Sequence, residues 1–129
     1  NSTNKLLYSA KVLHNLGNVL QQEKQYNKAK ENYLNALSIY ENQSYQYGIA
    51  ESANSIGSLF VNLEDWRNAQ KYLNISVKAN KQVKNIAGES EALNNLGLLF
   101  LMQEMQASVL TVELGIHLEI EVEIVGETF

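Results

Sequence analysis

Apolar positions along the chain follow helical spacing, and the pattern as a whole returns at a fixed interval. Leu13, Leu16, Gly17 and Leu20 form an i, i+3, i+4, i+7 stripe; Ala53, Ile56, Gly57 and Phe60 repeat it forty residues on, and Leu93, Leu96, Gly97 and Phe100 repeat it again. This stripe is expected to be the buried face of a helix A. A short polar stretch follows, Glu23-Lys24-Gln25 or Glu64-Asp65, then an aromatic at Tyr26 or Trp66 and an alanine three residues later at Ala29 or Ala69. There a helix B begins, its stripe continuing through Tyr33, Ala36 and Leu37 or Leu73, Ser76 and Val77. A repeat of this length predicts an all-α solenoid of helix-turn-helix units, stabilised by stacking and acting through the surface the stack presents.

Glycine inside a helix costs roughly 1 kcal/mol relative to alanine, so Gly17, Gly57 and Gly97 each need a packing reason. Close approach of helix B to helix A within one unit supplies it. The alanines and Ser76 then leave room for Tyr26 and Trp66.

The third unit stays in register if one residue is missing from its inter-helix turn. Met105 then takes the slot of Trp66, Ser108 that of Ala69, Val112 that of Leu73, Gly115 that of Ser76, Ile116 that of Val77 and Leu118 that of Ala79. Read alone, residues 110–124 alternate, with Leu110, Val112, Leu114, Ile116, Leu118, Ile120, Val122 and Ile124 against polar or small neighbours, which is a strand pattern. A lone strand would lack ladder partners, because nothing else reads as β. Register therefore favours a third helix B, with a strand or a non-native end as the alternatives. The chain opens on Asn1 and stops on Phe129 without a polar cap, so further repeats or domains are expected to flank it.

The order apolar, Leu/Ile, Gly, large apolar, then aromatic, Ala, aromatic or Leu, and Ala/Ser resembles the tetratricopeptide repeat, in a long version of forty residues. Such repeats occur in spindle-orientation scaffolds, kinesin light chains and bacterial regulators. The resemblance covers nearly the whole chain, with units near 10–47, 50–87 and 90–125 of one solenoid segment, 1–129. Two departures stand out: the chain has no proline, where the family carries one near the end of helix B, and the third unit is irregular.

The resemblance implies a ligand along a concave groove lined by helices A. The expected groove residues are Lys11, His14, Asn15, Asn18 and Gln22 from the first unit, Asn54, Ser55, Ser58 and Asn62 from the second, and Glu91, Asn94 and Asn95 from the third. Asn15 and Asn95 resemble the asparagine ladder of long-repeat members, whose amides donate and accept at once and so pair with any extended backbone. The two-basic-residue clamp that grips a C-terminal carboxylate in chaperone-binding members is not matched. Only Asn18 fits it, and Glu91 stands where a cation is needed and would repel a carboxylate. The expected partner is an internal or mixed-charge peptide or protein segment. The alternative is a structural or regulatory stretch of a larger signalling protein with no groove ligand of its own.

Composition narrows the function further. The 129 residues, 45% hydrophobic and 19% charged, suffice for one α-solenoid segment. The chain has no cysteine, which removes disulfide and thiol chemistry and fits a reducing, cytoplasmic compartment. The longest apolar run, Leu96 to Met102, falls far short of the ~20 residues that cross a bilayer. A net charge of −4 with scattered basic residues is poor material for nucleic acid. Sequons at Asn1, Asn42 and Asn74 are best read as chance in an asparagine-rich chain. His14 and His117 stand on different units without a carboxylate at ligand spacing, and Glu119, Glu121 and Glu123 read as a solvated run. With no phosphate loop or nucleophile elbow either, no enzymatic activity, metal or cofactor is expected.

Overall fold

Five α-helices follow one another: α1 (Ser2–Gln22), α2 (Tyr26–Asn42), α3 (Gln46–Asn62), α4 (Trp66–Gln82) and α5 (Ile86–Thr128). They are seen in a computed structural model that describes the backbone of residues 1–128 and the side chains of residues 1–115. Among the described residues there is no strand. Two compact units are distinguished, Asn1–Leu99 and Phe100–Phe129.

In the first unit α1 packs on α2, α2 on α3 and α3 on α4, and α1 also touches α3. The connectors are three residues long, and each places its middle residue in the left-handed region: Lys24 at φ 61°, Ser44 at 52°, Glu64 at 57° and Lys84 at 58°. The next residue's N–H then reaches back five positions, Gln25 to the Leu20 carbonyl at 2.8 Å, and Tyr45 to Tyr40, Asp65 to Phe60 and Asn85 to Asn80 at 2.9 Å each. This bond closes the end of the outgoing helix as a Schellman turn does. Side chains cap some incoming helices: Asp65 accepts from Asn68 N at 3.2 Å and Asn85 from Gly88 N at 3.1 Å.

The expected close approach is found at two of the three glycines. A Cβ on Gly17 would stand 2.6 Å from the Tyr33 ring, and one on Gly57 2.5 Å from Leu73 Cγ. Tyr33, Ile56, Leu59, Leu73 and Leu99 are fully buried, each contributing about 1.5–3 kcal/mol of apolar burial. Gly97 differs, with nothing within 4 Å of where its Cβ would lie. The buried stripe is complete only in α3, where Ala53, Ile56, Gly57 and Phe60 all lie inside. In α1 the buried residues are Ala10, His14 and Gly17, while Leu16 is 45% exposed; in α5 Leu93 and Phe100 are 48% and 46% exposed. The central helix is covered on both sides, and the outer ones are not.

The third turn expected before Met105 is replaced by continuous helix. The other connectors need three residues with one in the left-handed region, and the missing residue leaves only Gln103 and Glu104 between the matching slots. Leu101 to Ala107 are good helix formers with no breaker among them, so the helix runs on. The alternation at 110–124 likewise sits in helix rather than strand. In the second unit Leu101, Met105, Val109, Leu110, Val112 and Leu114 are all exposed. The side chains matched to the later slots, Ile116 and Leu118, and His117 with Glu119, Glu121 and Glu123, lie outside the described side chains. Among the described residues no helix is long and apolar enough to cross a membrane.

Candidate functional site

Residues one turn apart on α1 meet residues one turn apart on α3. Lys11 Nζ lies 2.8 Å from Glu51 Oε1, and His14 Nε2 lies 3.3 Å from the same oxygen and 3.4 Å from Ser55 Oγ. His14 is 3% exposed and its ring tilts against Tyr33 with centroids 5.3 Å apart. His14, expected in the groove, is thus buried beside a carboxylate of α3. Its Nδ1 is buried with no hydrogen-bond partner, so the neutral ring carries its proton on Nε2, facing Glu51. Burial holds the His14 pKa below 6.5; the Glu51 charge works against that shift and the Lys11 charge adds to it.

The asparagines are already engaged with one another. Asn95 Nδ2 donates to Asn54 Oδ1 at 2.9 Å, and Asn54 Nδ2 donates to Glu91 Oε1 at 3.2 Å, a relay from α5 to α3 and back. Asn18 Oδ1 accepts from Tyr33 OH at 2.7 Å, with Gln21 Oε1 a second acceptor at 2.9 Å. Burial pushes the Tyr33 hydroxyl up to about 12, so this donor stays protonated. Asn15 is exposed.

A cavity of about 460 Å³ opens in the first unit and collects His14, Asn18, Asn54, Ser55 and Glu91 of the expected groove, together with Glu51. Adjoining it, and sharing Tyr47 and Glu51, is a second cavity of about 350 Å³ walled by Tyr8, Tyr40 and Tyr45 and edged by Lys11. Asn95 enters through its bond to Asn54. Asn15, Gln22, Ser58, Asn62 and Asn94 line neither cavity.

The expected groove leaves out Tyr47, Ala50 and Gly88 near the starts of α3 and α5, Asn80 of α4 and Asn85 of the connector, which also line the first cavity. A signal for them existed. Gly48 and Gly88 are a second pair of glycines forty apart, each preceded eight residues earlier by the side chain that fills its missing Cβ position, Tyr40 and Asn80. Asn80 is 3% exposed and donates to Ser76 O at 3.0 Å and Ser76 Oγ at 3.3 Å, while Ser76 Oγ donates to Ala50 O at 2.7 Å. This chain ties α4 to α3 at the cavity wall.

Among the described residues no group of three or more His, Cys, Asp or Glu side chains is placed to hold a metal ion. The arrangement presents amides, hydroxyls and carboxylates to one shared space. In sequence comparison, the family model for the tetratricopeptide repeat matches residues 8–82, which spans α2, α3 and α4 and most of α1. Comparison with curated proteins and with solved structures finds no match to either.

Proposed function

Because the chain belongs to the tetratricopeptide repeat family, whose non-catalytic repeats generally mediate protein–protein interaction, we propose that it binds an extended peptide or partner segment along the groove of α1, α3 and the start of α5. The observation that carries this reading is the polar 460 Å³ cavity, in which residues from these three helices converge with amide and carboxylate groups facing the same space. Its volume falls within the few hundred to about 1,000 Å³ typical of ligand sites. The amides act in pairs, so a bound backbone competes with Asn95–Asn54 and Asn18–Tyr33 bonds of modest net worth, about 0.5–1.5 kcal/mol each. A cytoplasmic setting goes with this reading.

Selection from a display library of random linear peptides tests it. The parent chain should enrich a family of sequences, and replacing Asn15, Asn18 and Asn95 together by alanine should abolish that enrichment. Stability should fall by no more than the roughly 1–3 kcal/mol that the two lost hydrogen bonds are together worth. Equal enrichment by both chains would remove the groove reading and favour a stretch that only spaces other domains.

A further inference from the structure

Asn80 carries a carbonyl oxygen whose direction the surrounding bonds fix. Its Nδ2 faces the Ser76 carbonyl, which can only accept, and Ser76 Oγ gives its own proton to the Ala50 carbonyl, leaving only a lone pair for Asn80. The amide therefore cannot be turned around, and Oδ1 points the other way, towards Gly88, where it accepts from no donor among the described residues. A Cβ at position 88 would run into this oxygen and stand 2.8 Å from Asn85 Nδ2, so the bare glycine leaves the oxygen open to the cavity that both residues line. From the cavity wall this oxygen can accept from a donor that enters the space.

The charges facing the same space state what kind of donor. Glu51 and Glu91 both line the cavity, and no lysine or arginine does. Glu51 is shared with buried His14 and with Lys11 from the rim, the latter an exposed pair of the kind that yields readily to a competitor. Among the described residues Glu91 receives the neutral amide of Asn54 and no cation. The start of α5 brings a positive helix end nearby, but Asn85 caps it and Glu89 sits in its first turn. An ammonium or guanidinium has several donors and no acceptor, which matches two carboxylates and an open carbonyl; an anion meets repulsion on both sides.

We propose that this cavity is a subsite for a basic side chain, arginine or lysine, of the segment bound in the groove, with Glu51 and Glu91 taking its charge and Asn80 Oδ1 accepting one of its N–H groups. The assignment rests on the groove reading above and adds the class of residue that the groove selects.

The test uses the whole ¹⁵N-labelled chain and four small probes: Nα-acetyl-arginine methylamide, the lysine equivalent, and the neutral citrulline and norleucine equivalents. The basic probes should shift the Gly88 backbone and Asn80 side-chain amide signals saturably. Citrulline, which keeps the shape and loses the charge, should bind about tenfold more weakly. Glu91→Gln should weaken the arginine probe by a similar factor with an unchanged melting curve, because Glu91 is exposed. Gly88→Ala should block it, by filling the space before Asn80. Equal shifts from arginine and citrulline, an undiminished affinity in Glu91→Gln, or no movement at Gly88 with any probe would each overturn the subsite. Peptide selection with neutral sequences would still decide the groove itself, so the two readings fail separately.

Discussion

A missing side chain has opposite meanings at Gly57 and Gly97, although the two occupy the same slot of the repeat. At Gly57 the Leu73 side chain already sits where a Cβ would go, with the Leu73 backbone nitrogen at 3.2 Å behind it. Gly57→Leu is expected to cost at least the 1–3 kcal/mol typical of overpacking. Gly97→Ala meets open space in a helix interior and should gain up to about 1 kcal/mol from propensity alone. Urea unfolding of the two variants reads both signs, and a loss at position 97 as large as that at 57 would show that the slots are equivalent after all. The sequence identified these glycines as sites of close packing. It could not show that only two have a neighbour, because the neighbour of the third depends on a turn that does not form.

At the level of elements, the connectors set the architecture. Each of the four places a non-glycine residue in the left-handed region, which costs an L-residue about 1–2 kcal/mol, and accepts that cost to close the helix end. Lys24→Gly should therefore stabilise the chain, by about 0.5–1 kcal/mol once the extra unfolded-state entropy of glycine is subtracted. Chemical denaturation measures this, and a destabilised variant would mean that the Lys24 side chain contributes more than its backbone strain costs. The connectors carry no glycine, no proline and no residue common to all four to mark them, only their spacing of twenty. That spacing would put a further connector at 103–105, where a run of helix-favouring residues instead carries α5 onward.

Across the whole molecule, stability is coupled to pH through one buried ring. His14 has its pKa lowered by burial, so between that lowered value and 6.5 the unfolded chain binds a proton that the folded chain does not. The His14 contribution is present in full above 6.5 and is lost as pH falls below it. Unfolding free energies measured from about pH 7.5 to about pH 5.5 should drop more steeply for the parent than for His14→Gln, which cannot titrate. Parallel profiles would remove His14 as the source.

Much of this molecule was legible in its sequence: the helical class, the repeat length, the hairpin partners and the glycine slots all follow from periodicity, because a helix must bury the stripe that its own spacing creates. The site was legible in part. Lys11 and Glu51 are forty residues apart, and His14–Ser55 and Asn54–Asn95 forty-one, so equivalent helices of neighbouring repeats meet with an offset of zero to one residue. That offset belongs to the stack and to no single helix, and it decides that His14 is buried beside a carboxylate. Tertiary packing alone also turned Asn80 so that its oxygen faces a bare Gly88, since the amide's direction is set by carbonyls of α3 and α4 that no local pattern brings together. Periodicity determines what each helix must hide, whereas the polar groups left facing a common space depend on how far one helix slides along the next.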